Sequence, residues 1–497
     1  MNTTRCWLVA GLAAYLATCL TAASSFAAPG RPPNIVFILI DDLGWRDVGF
    51  MGNDFVETPN IDRLARRGIV FTQAYASAPN CAPTRACLMS GQYPPRHGIY
   101  TVVDPRQPPG SPWHKLLAAE SRSELATEVV TLPETLREQG YATGFFGMWN
   151  LGRGRTGPVT PGGQGFDTVV FPDNLGFAKD AYVNADGQQL SDRLTDQVLD
   201  FMTREKSGPF FVYLADHATH EPFEPEPELA AKYEAKAKAS DDSRHDPALA
   251  ATVEAVDRNV GRIAERLEQL GLAHDTLVVF TSDNGGLAKT VAPLRGGKGE
   301  LYEGGIRVPL VMAGAGVGVP GTTCDIAVST IDCYPTLIAL ARAEPPPRQS
   351  LDGANLEPLL AGKGSLPRQR LFWHFPCYVG RATPASAMRE GGFKLIEFFE
   401  DGGRIELYDL DNDPGERENL AVAQPDRAAA MLVTLRQWQQ ETSASIPRGP
   451  NPSYDPRARR SRRSTTSAVP VPSPAVSHAI TSAHTPDRIS ANSLYAR

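Results

Sequence analysis

The chain has 497 residues, 42% of them hydrophobic, enough to bury a large core and more than one ordinary domain needs. Its formal net charge is −7, although the stretch Pro447 to Arg497 carries eight arginines against two aspartates, so the body of the chain is strongly acidic. That balance argues against nucleic acid as a partner and means that an anionic ligand needs a pocket made positive locally.

Residues 1–27 have the pattern of a secretory signal peptide: one basic residue, Arg5, an apolar run from Cys6 to Leu20, and small residues ending in Ser25-Phe26-Ala27. The apolar run is short for an anchor, so the expectation is an exported protein, periplasmic or secreted, without a stable membrane span. Removing this segment leaves five of the seven cysteines, an odd number, and Cys324 and Cys333 could pair across a short loop.

From Asn34 to about Ala341, strand-like apolar runs alternate with helix signals, the pattern of an α/β domain on a largely parallel sheet, here given the bounds 28–369. The clearest predicted strands are Asn34–Ile40, Tyr141–Phe146, Phe210–Ala215 and Leu277–Thr281. Helices open at Thr58-Pro59 and at Leu132-Pro133 and close at Gly68 and Gly140. The first strand runs into Asp41-Asp42 and the last into Ser282-Asp283-Asn284, which puts carboxylates just beyond strand C-termini, where open α/β sheets form their binding crevice. Asp41, Asp42, Asp283 and Asn284 offer hard oxygen ligands suited to calcium first and magnesium second, and poor for zinc or copper. Taken singly, Asp-Asp after a strand could cap a helix and Asp-Asn-Gly could be an ordinary turn.

Between these segments lies Cys81-Ala82-Pro83-Thr84-Arg85. Its proline suits the first turn of a helix, placing Cys81 near a positive helix end and Arg85 one turn on. His220, in Ala218-Thr219-His220-Glu221-Pro222, follows the third strand, with His217 as a rival three residues earlier. Lys298 sits in a glycine-rich loop, Gly296-Gly297-Lys298-Gly299, whose backbone lets an ammonium approach an anion.

From about Arg370 the texture changes to short apolar runs, Leu371–Phe375, Phe393–Phe399 and Ile405–Tyr408, followed by a helix near Asp426–Glu441. We read these as a smaller antiparallel-sheet subdomain, residues 370–446. Residues 447–497, with eight prolines and little apolar pattern, read as a disordered tail.

Four segments in order resemble the type I, formylglycine-dependent sulfatases, the arylsulfatase-like family. They are Ile40–Gly44, the Cys-x-Pro-x-Arg signature at Cys81–Arg85, Ser282–Gly285, and Gly297-Lys298-Gly299 with Tyr302–Gly305. The resemblance covers about residues 33–425 and implies an alkaline-phosphatase-like sandwich with a smaller C-terminal α+β subdomain. It implies that a maturation enzyme converts Cys81 to formylglycine, which adds an oxygen to the metal shell of Asp41, Asp42, Asp283 and Asn284 and attacks sulfur. By the same resemblance Arg85 holds that group, His220 serves the leaving oxygen, and Lys298 meets the sulfate of a small molecule or carbohydrate.

One segment departs from the family. Where sulfatases carry Gly-Lys-Trp-His-Leu-Gly, this chain has Gly147-Met148-Trp149-Asn150-Leu151-Gly152. Losing a general acid–base group costs ~10²–10⁴ in rate and losing an electrostatic donor about 10²–10³. Arg153 or Arg155 bending back is one way to restore the charge. The alternatives to a working sulfatase are a pseudoenzyme that binds sulfated ligands, or a phosphodiester or phosphonate hydrolase on the same fold.

Overall fold

In the computed structural model, which describes residues 31–102, 110–178, 181–240 and 242–458, the run Asn34–Ile40 (β1) is a strand buried along its whole length. Both faces of so apolar a run need cover, and they find it because β1 lies in the middle of an eight-stranded sheet. The other strands among the described residues are Gly68–Phe71 (β2), Ala74–Tyr75 (β3), Ala142–Gly147 (β4), Thr168–Val170 (β5), Phe210–Asp216 (β6), Thr276–Ser282 (β7), Leu310–Gly314 (β8), Thr322–Cys324 (β9), Val328–Ser329 (β10), Arg370–Phe375 (β11), Ala385–Glu390 (β12), Phe393–Phe398 (β13) and Arg404–Asp409 (β14). The large sheet has the order β5-β4-β6-β1-β7-β8-β2-β9, with β8 antiparallel to both neighbours and the other pairings parallel.

Side chains alternate across this sheet. Ile35, Phe37 and Leu39 pack on one face against the helices Cys81–Ser90, Leu132–Glu138 and Cys333–Leu340. Val36, Ile38 and Ile40 pack on the other against Pro59–Arg66, Leu190–Glu205 and Pro247–Gln269. Burying each such side chain stabilises the fold by about 1.5–3 kcal/mol. The result is the α/β/α sandwich expected from the alternation of elements.

Register brings the strand ends level. Ile40 pairs with Asp216 on one side and Ser282 on the other, and Gly147 pairs with Ala215. Asp41, Met148, His217 and Asp283 therefore leave the sheet side by side at its carboxyl edge.

The second sheet, β11-β12-β13-β14, is antiparallel throughout. The helix Pro425–Glu441 covers one face, with Met431, Leu435 and Trp438 on Met388, Leu395 and Leu407. The other face sets Trp373, Ile396 and Tyr408 against Tyr75, Tyr302 and Ile306.

Two expectations change, and one strand is new. Cys324 and Cys333 are not bonded, and Cys81, Cys87 and Cys377 are also free thiols. The assigned tail begins with an ordered stretch: Arg448 donates to the Leu117 carbonyl at 2.8 Å and Asn451 to the Lys115 carbonyl at 2.9 Å, because these backbone groups pair as a strand would. Strand β12, Ala-Ser-Ala-Met-Arg-Glu, has too few large apolar residues to announce itself. Residues 1–27, read above as a signal peptide, and residues 459–497 lie outside the described residues. No described helix is long and apolar enough to cross a membrane.

Candidate active site

Asp41 and Asp42 follow β1, and Asp283 and Asn284 follow β7; all four are buried. Asp42 adopts the left-handed conformation, φ 64°, which turns the chain sharply at the strand end, and its backbone N–H donates to Asp283 Oδ1 at 3.2 Å. Asn284 donates through Nδ2 to Asp42 Oδ1 at 2.8 Å. Ser282 accepts from the Leu43 N–H and donates to the Ile40 carbonyl, stitching the two strand ends together.

Cys81 begins the helix Cys81–Ser90, every residue of which is buried. Its sulfur and carboxylate oxygens of Asp41 and Asp283 lie within 4.8 Å of one another. Arg85, one turn along and 1% exposed, spans the same two carboxylates, with Nη2 2.8 Å from Asp283 Oδ2 and 3.0 Å from Asp41 Oδ2. Its Nη1 donates to the Met148 carbonyl. Lys298 Nζ lies 2.8 Å from Asp42 Oδ2, and His220 Nε2 is 3.8 Å from the same oxygen with its ring partly exposed.

The electrostatics suit a bound cation. Burial, then the neighbouring Asp41, push Asp283 up to about 8, and burial raises Asp42 although Lys298 opposes it. For Asp41, burial also acts upward, but Arg85 and Lys298 outweigh it and hold the carboxyl below its ordinary range. Three crowded carboxylates thus share two protein cations. Asp41 Oδ1 and Asn284 Oδ1 are buried with no hydrogen-bond donor, which is costly unless a cation takes the place of the donor. This all-oxygen, acidic set can hold a hard divalent metal ion. Burial pushes the Cys81 thiol up to about 12, so the unmodified sulfur is protonated at neutral pH and a weak nucleophile.

The family described as Sulfatase matches residues 33–343, and the family described as N-sulphoglucosamine sulphohydrolase, C-terminal, matches residues 297–442. The chain belongs to the sulfatase family. Arylsulfatase A of Homo sapiens is 32% identical, the match covering 87% of this chain and 92% of the relative. A protein named Sulfatase from Formosa agariphila is 33% identical, with 82% and 89% covered. Among solved structures, Ps i-CgsB in complex with k-i-k-neocarrahexaose superposes with a TM-score of 0.69 at 28% identity, covering 84% of this chain and 95% of that one. Sulfatases are sulfuric ester hydrolases, and this sulfatase carries their alkaline-phosphatase-like architecture.

The structure thus brings Cys81, Arg85, His220, Lys298, Asp41, Asp42, Asp283 and Asn284 to one edge of the sheet. Arg155 goes elsewhere: it pairs with Asp173, 4.5 Å above the Phe171 ring, so it does not replace a lysine at position 148, and Arg153 is exposed. His374 stands outside this group, buried between Ser386 Oγ and the Ser445 carbonyl. Three contributors escaped the sequence. Thr219 donates to the Asp41 carbonyl, Ser282 joins the strand ends, and the backbone of Met148 meets Arg85. Only Ser282, lying within the Ser-Asp-Asn-Gly motif, had a signal by which it could have been found.

Proposed function

We propose that this sulfatase hydrolyses sulfate esters of carbohydrates or aryl alcohols after conversion of Cys81 to formylglycine, with calcium held by Asp41, Asp42, Asp283 and Asn284. One observation supports this above the others: the Cys81 sulfur sits beside two carboxylates whose neighbours include donor-less buried oxygens and one lysine at the mouth. Formylglycine supplies a hydrated aldehyde oxygen as nucleophile, and a divalent ion supplies neutralising charge for the sulfuryl oxygens.

The chain's own residues do the rest. Lys298, anchored on Asp42, presents its ammonium to the sulfate, and its pKa lies above the ordinary value because, against burial, Asp42 and Cys81 stabilise the charge. His220, the most exposed of the group, faces the leaving-group side, and its Nε2 can give a proton to the departing alcohol. Its Nδ1 lies 2.7 Å from the Glu221 carbonyl, which fixes the ring. Arg85 is walled off from solvent, so we assign it to holding Asp41, Asp283 and the Met148 turn in place. The relative solved with neocarrahexaose supports an oligosaccharide as substrate, and the signal-like pattern of residues 1–27 is consistent with a carbohydrate met outside the cytoplasm.

The test is peptide mass spectrometry across Cys81 in protein from its native host, with fluorogenic aryl-sulfate turnover measured before and after chelation and after calcium is restored. Formylglycine with chelator-sensitive turnover is the expected result. An unmodified thiol without turnover favours one second reading, a binder of sulfated ligands, to which Met148 and Asn150 point. Faster turnover of phosphate than sulfate esters would reassign the reaction.

A further inference from the structure

Glu303 lies five residues beyond Lys298, in Tyr302-Glu303-Gly304-Gly305, and is 0% exposed. Its surroundings form a charge cluster that the proposed reaction does not use. Lys394, on β13 of the second sheet and also without exposure, places Nζ 3.0 Å from Glu303 Oε1 and 2.9 Å from Glu416 Oε1. Glu416 Oε2 accepts from the Glu303 backbone N–H at 2.6 Å. Glu303 Oε2 takes a bond from Tyr75 Oη at 2.8 Å and meets Arg307 Nη1 at 3.3 Å, and Arg389 of β12 in turn donates to Tyr75.

The segments that carry Asn284, Lys298 and Cys81 are tied to one another and to the segment around Glu303 by short backbone links. The Gly305 carbonyl accepts from the Gly285 N–H at 2.9 Å, directly after the ligand Asn284. Lys298 N–H reaches the Gly286 carbonyl at 3.1 Å, and Gly299 N–H reaches Pro79, two residues before Cys81, at 2.7 Å. Tyr75 lies on the strand that leads toward Cys81, and Ala76 bonds Ile306 at 2.7 Å. The packing leaves no slack: a Cβ on Gly285 would lie 2.0 Å from the Gly304 carbonyl oxygen, and one on Gly305 2.0 Å from that of Glu300. A displacement at Glu303 therefore passes directly to Asn284 and Lys298.

We propose that Lys394 and Glu416 are positioning residues that act through Glu303 to fix the Lys298 loop against the metal loop, so that the second sheet completes the active site. This rests on the sulfate-ester reading above. The second sheet supplies the buried ammonium of the cluster, and Glu416 links the two parts, one carboxylate oxygen paired with Lys394 and the other accepting from the Glu303 N–H of the loop.

The test uses the full-length protein carrying Lys394→Met with Glu416→Gln, which removes one charge of each sign and leaves Glu303 compensated by Arg307. Folding is checked by thermal melting, divalent-ion affinity is measured by calorimetry, and kcat and KM are measured with an aryl sulfate. Misplacement by about 1 Å lowers turnover about 10²-fold, so kcat is expected to fall ~10–100-fold with KM within about twofold, and the calcium dissociation constant to rise about 10-fold. A purely structural cluster lowers the melting temperature but leaves kcat and calcium affinity of the folded enzyme unchanged, and that result overturns the proposal. If the double variant does not fold, Glu303→Gln, which keeps an oxygen for Lys394 and Tyr75, takes its place with an expected loss of about 3–10-fold and the same criterion. Wild-type protein that binds calcium yet turns over no sulfate ester defeats the proposed function instead, and the tether is then judged on calcium affinity alone.

Discussion

Asn150 has φ 60°, a left-handed conformation that asparagine accepts more readily than most residues and histidine also tolerates. The turn it belongs to starts from Gly147, whose strand partner is Ala215, two residues before His217, so this backbone stands at the wall of the site. A histidine at 150 and a lysine at 148 can thus enter without rebuilding the turn, and they restore the two groups found in the family's usual pattern. Met148→Lys with Asn150→His is expected to raise kcat on an aryl sulfate by ~10²-fold or more, read in a steady-state assay. A flat response would mean that Lys298 and His220 already meet the needs of this enzyme's own substrate. At this scale the sequence was most informative where chemistry is carried by a side chain and least where it is carried by backbone. The Met148 carbonyl that accepts from Arg85 could have come from any residue type.

Gly147 ends β4 with φ 117°, and a Cβ there would lie 2.0 Å from the Ala215 carbonyl oxygen. Gly147→Ala is expected to destabilise by about 1–3 kcal/mol from conformation alone, with more from the clash, measured by urea unfolding. His374 couples β11 to the segment after the last helix. Burial, against the pull of the Ser445 carbonyl, brings its pKa from 6.5 down to about 4, so the folded chain refuses a proton that the unfolded chain accepts. The stability tied to its neutral form is complete above about pH 6.5 and is lost as pH falls toward 4. The cost of His374→Gln, about 1–3 kcal/mol at pH 7 from two lost hydrogen bonds, should accordingly shrink on acidification, as melting curves of the two proteins across that range would show. Elements with a continuous apolar run were legible: β1 was predicted with the bounds it has, and β4, β6 and β7 within a residue at each end. β2, β8 and β9 were not, because short strands at the sheet's far side draw their cover from neighbours distant in sequence.

For the whole molecule, the acidic body and the donor-less oxygens at the sheet edge meet in one expectation. Adding calcium to chelated protein should raise the melting temperature by several degrees, since an ion present at 100 times its dissociation constant contributes about 2.7 kcal/mol. The same titration on Asp283→Asn should give a clearly smaller rise. Convergence of the site was legible only in part. Strand order and register decide which termini are neighbours, and no local signal states that β1 lies between β6 and β7.

The helix from Cys81 to Ser90 is buried at every position, under the sheet on one side and the second sheet's surroundings on the other. A protein catalyst that must grip Cys81 through Arg85 cannot do so once that helix is in place. If Cys81 is converted to formylglycine as proposed above, that oxidation is a race against folding: a chain that collapses first seals in a thiol and stays silent, however well it is folded. The yield of working enzyme is then fixed by two rates during synthesis, and folded stability has no means of correcting it.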